Sequence, residues 1–390
     1  MNFDVAVVGG GLVGAALARA LPGTSVALVA QARRAPAAPA PGFDSRIYAI
    51  SPGNASFLAG IGAWAAMPPA RVTPVHAMRV HGDDGASLVE FDAGEAGVEA
   101  LAWIVEDGLL QDALWGGLER QPGLELFAPA ECARLELGGG QALLELADGR
   151  ALNASLVVGA DGARSAVRAQ AGIAVEERAY GQTAVVANFA CARPHRNVAL
   201  QWFQGAARGG AVLALLPLPG DHVSMVWSTA DAEAQRLLAL QPAALARELG
   251  EASHDTLGEL ALVTPARGFA LRRVTARRLV APRVALVGDA GHVLHPLAGQ
   301  GANLGFQDAR ELARVLGARE PFRDPGELRL LRRFERARAE AILAMRATVH
   351  GLFLLFDAKG GLASRVRNAG LNLTDRVPVI KNMLMRQAMS

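Results

Sequence analysis

Six residues near the start of the chain, Gly9-Gly10-Gly11-Leu12-Val13-Gly14, constrain the fold more than any other feature. They follow a Val-rich apolar run at residues 3–8 and open into an alanine-rich segment at 12–21, which reads as strand, tight turn and helix. In that setting Gly9 permits the turn, Gly11 lets the backbone approach a pyrophosphate, and Gly14 lets the helix lie close on the strand. The helix start would present free N–H groups and a positive dipole end to an anion. A second apolar run at 25–30 completes a βαβ unit. A carboxylate is expected at the end of that second strand to hold ribose hydroxyls. The chain has Ala30-Gln31 there, which leaves Gln31 as a neutral, weaker acceptor.

Two later runs follow the same grammar. Residues 155–160 lead into Asp161-Gly162, and residues 283–287 into Gly288-Asp289-Ala290-Gly291-His292. Both are rich in Val, Leu and Ala, as strands covered on both faces should be. The second continues through His295-Pro296-Leu297-Ala298-Gly299-Gln300-Gly301-Ala302-Asn303-Leu304-Gly305. An Asp at a strand end can bind a sugar-alcohol hydroxyl, and a Gly-rich loop opening a helix offers N–H groups to a negative edge. Residues 290–307 carry no Asp, Glu, Lys or Arg and read as a loop, with a helical pattern after Gly305.

The intervals read differently. Residues 78–81 and 87–91 flank Asp84-Gly85, a hairpin signal. Residues 198–203, 211–216 and 222–228 read as successive antiparallel strands, and 131–154 as a small meander with turns at Gly138-Gly139-Gly140 and Asp148-Gly149. Residues 35–41 read as a Pro/Ala-rich surface loop. Phe334, Ala337, Ala341, Met345, Thr348 and Leu352 recur at three- and four-residue steps, which predicts one long amphipathic helix. The apolar run 352–356 reads as core packing, with a lipid-facing surface as the alternative.

At 390 residues the chain exceeds what one core usually serves. The expected division is a nucleotide-binding part at 1–72, 101–175 and 269–326, a hairpin at 73–100, an antiparallel-sheet unit at 176–268, and C-terminal helices at 327–390. Hydrophobic residues at 51% and charged ones at 19% exclude a disordered chain. A net charge of +2, with Lys359 and Lys381 the only lysines, argues against nucleic acid as a partner. Cys132 and Cys191 form no CxxC pair and imply a reduced compartment. His76, His81, His195, His222, His254 and His350 show no metal-ligand spacing, so no metal is expected. Asn2-Phe3-Asp4 runs straight into the first strand, and no apolar run is long enough to span a bilayer. A soluble cytoplasmic protein, at most peripheral to a membrane, is the expectation.

The three strand-end motifs, in this order and over nearly the whole chain, resemble the single-component flavin aromatic hydroxylases of the para-hydroxybenzoate hydroxylase superfamily. Phe43-Asp44-Ser45-Arg46, Ile50-Ser51-Pro52, Val105-Glu106 with Leu110-Gln111, and the run 298–305 are similar to the ubiquinone-biosynthesis hydroxylases within it. The resemblance implies an α/β fold: a Rossmann-like, glutathione-reductase-type FAD-binding domain, an inserted antiparallel-sheet substrate domain and a C-terminal helical segment. It also implies that Gly9, Gly11 and Gly14 receive the FAD diphosphate, that Arg46 and Gln111 contact the phosphate and ribityl region, and that Asp289 binds the ribityl chain. Gly299, Gln300, Gly301, Ala302 and Asn303 would line the isoalloxazine, and Asp161 would sit behind the first glycine loop. Two departures stand out, Ala30 at the ribose carboxylate and Gly291 in place of the alanine usual before His292.

The implied reaction is reduction of FAD by transiently bound NAD(P)H, reaction with O2 to a C4a-hydroperoxide, and transfer of one oxygen atom to a phenolic ring carrying an apolar chain. The cofactor carries that chemistry while the protein positions it and excludes water. His295, beside Pro296, is the histidine best placed to polarise a substrate hydroxyl, and His292 reads as support for the loop. The strands at 211–216 and 222–228 are expected to wall the substrate cavity. Two other readings remain open: a relative acting on a soluble phenol or secondary metabolite, and a flavin-fold scaffold or lipid-binding subunit of a quinone-synthesis assembly. A halogenase is disfavoured, since the Trp-x-Trp-x-Ile-Pro run is absent.

Overall fold

The computed structural model describes residues 1–32, 42–84, 86–138, 140–204, 210–293 and 301–357, the side chains of 346–357 excepted. The chain opens with β1 (Asn2–Val8), α1 (Leu12–Arg19), β2 (Val26–Val29), β3 (Ile47–Ile50) and α2 (Pro52–Gly60). Short strands β4 (Thr73–Val75), β5 (Ala77–His81), β6 (Leu88–Asp92) and β7 (Ala102–Glu106) lead to α3 (Asp107–Leu118) and β8 (Leu124–Phe127). Next come β9 (Cys132–Gly138), β10 (Gln141–Leu146), β11 (Ala151–Gly159) and α4 (Ala166–Gln170). The middle of the chain forms β12 (Val175–Cys191), β13 (Val198–Phe203), β14 (Val212–Leu218) and β15 (His222–Ala230). It continues through α5 (Asp231–Leu238), α6 (Pro242–Ala252), β16 (Leu260–Leu262) and β17 (Arg267–Ala276). The last elements are β18 (Val280–Ala281), β19 (Val284–Leu286), β20 (His292–Val293), α7 (Gly301–Gly317) and α8 (Leu328–Asp357).

One sheet runs β18-β19-β11-β1-β2-β8, parallel from β19 to β8. Val8 lies level with both Gly159 and Val29, and Gly159 with Leu286, so the turns leaving these strands open along one edge. That carboxyl edge is where open parallel sheets take ligands. Strand β1 is apolar on every residue after Asp4 because both its faces are covered. Val5 and Val7 pack under α1, α3, α7 and α8, while Ala6 and Val8 pack towards β9, β10 and Val167. The meander at 131–154 and the strand at 155–160, read separately from the sequence, share the single strand β11. Its first half pairs antiparallel with β10, while along its length it pairs parallel with β1.

A second sheet runs β20-β17-β12-β15-β14-β13-β5-β6, with β16 beside β12. Its α5/α6 side buries Val185, Phe189, Leu213, Met225 and Trp227 against Leu237 and Leu249. The hairpin at Asp84 joins this sheet by parallel pairing of β5 with β13. A small antiparallel sheet, β3-β7-β4, lies at the seam, where Ile47, Ala49 and Ile104 pack against Ala199, Leu216 and Leu218.

Two sequence expectations need correction, and two strands carry no sequence signal. Strands β12 and β17 were not foreseen, because their paired ends carry Glu176, Glu177, Arg272 and Arg273, whose cross-strand ion pairs look in sequence like a solvated loop. Helix α7 begins at Gly301, inside the stretch read as a loop up to 307, and buries Asn303, Leu304, Gly305 and Phe306 in its first turns. On α8 the buried stripe is Leu331, Phe334, Arg338 and Ile342, and Ala337 is exposed. An apolar three- and four-residue pattern misses this stripe because one of its members is an arginine, a residue rarely buried on an inner face. Among the described residues no helix is long and apolar enough to cross a membrane.

Candidate functional site

The β1–α1 turn is shaped by missing side chains. Gly9 has φ +118°, and a methyl group there would lie 2.2 Å from the Ala160 carbonyl oxygen. A methyl group on Gly14 would lie 1.9 Å from Gly9 O, so α1 sits directly on the turn. Gly11, the N-cap of α1, is different: no side chain caps it, and a methyl group there would meet nothing within 4 Å. The start of α1 is therefore uncapped and has open space beside Gly11, which suits a phosphate. Asp161 stands behind this turn, its Oδ2 accepting from Val167 N at 3.1 Å while its buried Oδ1 has no partner.

The position of the missing ribose carboxylate is tightly packed. Ala30 is buried, and a methyl group on Gly10 would lie 2.7 Å from its Cβ and 2.6 Å from Trp115 Cζ2. Trp115 Nε1 also donates to Gly10 O at 2.9 Å. Gln31, the next residue, is exposed.

The second element is the start of α3. Asp107 N donates to Arg46 O at 3.0 Å, and Asp107 Oδ1 accepts from Tyr48 Oη at 3.1 Å and Gln111 Nε2 at 3.4 Å. The Arg46 guanidinium lies 5.3 Å from the centre of the Tyr48 ring. Burial, with the charges of Asp107 and Asp289 beside it, pushes the Tyr48 phenol far up, so it stays a neutral donor. The loop carrying Arg46 is clamped from below: buried Glu106 accepts from Asp44 N at 2.7 Å and from both Arg71 Nε and Arg71 Nη2 at 2.8 Å. Arg46 and Gln111 thus both meet Asp107, where they are joined by Tyr48 and, through Glu106, by Arg71, residues that the sequence does not single out. Only the spacing of Asp107 and Gln111, one helical turn apart, could have hinted at them.

The third element is the turn after β19. Gly288 has φ +59°, and a methyl group there would lie 3.1 Å from Val13 Cγ2. A methyl group on Gly305 would lie 2.5 Å from the same atom and 3.3 Å from Gly288 Cα. Val13, from the glycine-rich helix, is therefore wedged between the Asp289 turn and α7. Solvent reaches Asp289, yet surrounding protein pushes its carboxyl above the usual range, opposed by His292 and Arg46. An accessible carboxyl that is nevertheless desolvated lies in a cleft, with Arg46 near it.

At the start of α7, Gly301 is exposed and a methyl group there would meet nothing within 4 Å, and Ala302 packs on the core. The Asn303 side chain is spent internally. Its Oδ1 accepts from Ser51 N and Asn54 Nδ2, both at 3.0 Å, and its Nδ2 donates to Ala49 O at 2.8 Å. His295, Pro296, Gly299 and Gln300 lie outside the described residues. His292 is buried, with Nε2 2.6 Å from Asp308 Oδ2 of α7.

Strands β14 and β15 divide their residues between two faces, Leu213, Leu215, Val223 and Met225 being core under α5 and α6. On the other face Ser224 of β15 is in register with Asn188 of β12. Asn188 Nδ2 donates to Asp44 O at 2.8 Å, tying this sheet to the Arg46 loop, while Asn188 Oδ1 and Ser224 Oγ are buried without partners.

A family model described as an FAD binding domain matches residues 2–347. The chain is 37% identical over 388 residues to ubiquinone hydroxylase UbiL of Rhodospirillum rubrum, covering 99% of this chain and 89% of that protein. It is 34% identical over 391 residues to the 3-demethoxyubiquinol 3-hydroxylase of Escherichia coli, covering 99% and 98%. Among solved structures it is similar to PqsL of P. aeruginosa in complex with 2-aminobenzoylacetate. The TM-score is 0.77 at 26% identity, covering 95% of this chain and 99% of that one.

Proposed function

This chain belongs to the FAD-dependent monooxygenase family that includes the ubiquinone-biosynthesis hydroxylases, and on that premise we propose that it hydroxylates the aromatic ring of a quinone precursor bearing an apolar, prenyl-type chain. O2 is the co-substrate and NAD(P)H the transient reductant. The observation that carries this reading is the wedge at Val13, which draws the glycine turn, the Asp289 turn and the start of α7 to one place.

The residues present fit FAD: open space at Gly11, an uncapped helix start, and a cleft carboxyl at Asp289. Gly9 and Gly14 shape the turn and Gly11 admits the diphosphate, with Asp161 behind them and Gln31 on the ribose side. Arg46 and Gln111 reach the phosphate and ribityl region, and Asp289 accepts from ribityl hydroxyls. Gly299, Gln300, Gly301, Ala302 and Asn303 would line the isoalloxazine of bound FAD; of these Gly299 and Gln300 lie outside the described residues, and the Asn303 side chain braces α2. Bound FAD supplies the electron transfer and oxygen chemistry. The protein orients the ring, excludes water and, through His295 beside Pro296, polarises the substrate hydroxyl.

Residues 73–100 and 176–268, with the sheet continued by β17 to Ala276 and by β20, form the substrate-facing unit, walled by β14 and β15. The apolar seam of Leu216, Ala199 and Met78 against Phe43 and Ile47 adjoins the Arg46 loop and suits an apolar substrate. The protein works in the cytoplasm, at the inner-membrane surface or within a quinone-biosynthesis assembly. The 65% exposure of Leu343 on α8 supports a peripheral placement.

The test is purification followed by a flavin spectrum, NAD(P)H oxidation with a prenylated phenol, and mass spectrometry of the product. A yellow protein whose NAD(P)H oxidation is coupled to a product 16 mass units heavier, the mass of one oxygen atom, is expected. A protein that cannot be reconstituted with FAD sinks the reading.

A further inference from the structure

We propose that Asp308, with His292 and Arg338, is a positioning unit that sets the Asp289 turn against the start of α7, and so makes the affinity and potential of the bound flavin depend on helix α8. The three side chains come from three segments and meet out of solvent, at 0% exposure for Asp308, 3% for His292 and 6% for Arg338. Asp308 Oδ2 accepts from Gly288 N at 2.9 Å and lies 2.6 Å from His292 Nε2, while Oδ1 accepts from Arg338 Nε at 2.7 Å. Arg338 Nη2 also donates to Gln307 Oε1 at 3.1 Å and Leu304 O at 3.4 Å, within the first turns of α7.

The protonation states follow from this geometry. One carboxylate oxygen receives two donors and the other a guanidinium, so Asp308 is ionised and His292 Nε2 carries the hydrogen. Burial opposes that charge, but His292 and Arg338 outweigh it and hold the carboxyl below its usual range. A buried ionic cluster is an expensive way to fill a core, since apolar residues would pack there at less desolvation cost. Its distinctive product is geometric. The Gly288 N–H and the His292 ring, on either side of Asp289, are both pinned to a residue of α7, and α7 is pinned through Arg338 to α8. The Asp289 carboxyl and the α7 N-terminus are thereby held at a set separation, as partners behind first-contact ligands do elsewhere.

The inference rests on the reading that Asp289 and the α7 start hold FAD. The experiment reconstitutes full-length apoprotein with FAD, reading affinity by flavin fluorescence, the midpoint potential of the bound flavin, and apoprotein melting temperature. The variants are His292→Leu, His292→Gln, Arg338→Lys and Asp289→Asn. His292→Leu is expected to weaken FAD binding about tenfold, the scale of one lost charge-assisted hydrogen bond, and to shift the potential. His292→Gln, which keeps an N–H donor, restores most of both. Arg338→Lys keeps the charge but loses the donors to Gln307 and Leu304, and moves affinity the same way by a smaller factor; it also serves if His292→Leu does not fold.

If His292→Leu and Arg338→Lys lower only the melting temperature, while Asp289→Asn weakens FAD binding, the positioning role is overturned and the reading of the site survives. If Asp289→Asn leaves affinity untouched, the reading of the site falls and takes this inference with it.

Discussion

Two turns leave parallel strands along the same edge of the nucleotide-binding sheet and are stabilised in different ways. The turn after β1 is closed by absence: Gly9, Gly10 and Gly14 leave no room for a side chain between the turn, Ala160, Trp115 and α1. The turn after β19 also packs Gly288 and Gly305 around Val13, but adds charge, Gly288 N and His292 both engaging a buried carboxylate that Arg338 neutralises. Steric closure needs glycines at fixed spacing within six residues. Ionic closure can recruit partners from anywhere the fold places them, here from Gly288 to Arg338. The first kind of turn declares itself in a sequence and the second does not.

The sharpest way to break this contrast is within the first turn, where Gly14 and Gly11 should fail for different reasons. In Gly14→Val the new Cβ would lie 1.9 Å from Gly9 O, a backbone atom of a turn held on both sides. The cost should exceed the usual ~1–3 kcal/mol of overpacking, and no folded protein is expected by circular dichroism. Gly11→Ala meets nothing within 4 Å and should leave apoprotein melting within a few degrees of wild type. Its methyl group would stand where the pyrophosphate approaches, so FAD binding should be lost. Equal damage from both substitutions would mean that Gly11 is structural and that its open space holds no ligand.

The same contrast explains what could be read in advance. Gly9, Gly11, Gly14 and Asp289 stood out because strand, glycine and helix lie contiguous in the chain. The parallel strands stood out because residues such as Val5 to Val8 are apolar on both faces. Strand β12 did not, since its outer end is held by Glu176 and Glu177 pairing with arginines of β17 roughly a hundred residues away. Arg338 has no sequence signal for a related reason: a charge appears solvated in sequence until its buried partner is known. Glu106 was noticed only as part of a resemblance, and its work, gripping Arg71 and the Asp44 backbone, depends on long-range contacts. Contiguous shape is legible, whereas compensated charge is not.

Acid titration separates the two carboxylates beside the second turn. Asp308 is held below the ordinary carboxylate value of 3.8, so its contribution to stability is complete above that value and is lost as pH falls towards its lower folded-state value. Asp289 is shifted upward by burial, so its ionised form disfavours the apoprotein, and acid relieves that penalty. Asp308→Asn should therefore cost ~3 kcal/mol at neutral pH, by leaving buried partners uncompensated, and flatten the acid limb of the denaturation curve. Asp289→Asn should do the reverse at neutral pH, raising apoprotein stability slightly while weakening FAD binding. Urea midpoints at neutral and acid pH check both signs. If the two variants respond alike, the second turn has no internal division between a scaffold carboxylate and a ligand carboxylate.

The smallest effect expected is at the end of β2, where neither device operates. Ala30 is packed against Gly10 and Trp115, so a carboxylate there would be buried as well as crowded, but its neighbour Gln31 is exposed. Gln31→Glu adds a charged acceptor beside the ribose without desolvating it. Apoprotein stability should then stay within about 0.5 kcal/mol of wild type, as for most surface substitutions. FAD affinity should rise a few-fold, the difference between a neutral and a charge-assisted hydrogen bond partly screened by water. Gln31→Ala should lower it by a comparable factor. Fluorescence titration resolves both changes. If neither substitution moves the affinity, Gln31 takes no part in holding the adenosine end, and that end relies on the open N–H groups of α1 and on apolar packing beside Trp115.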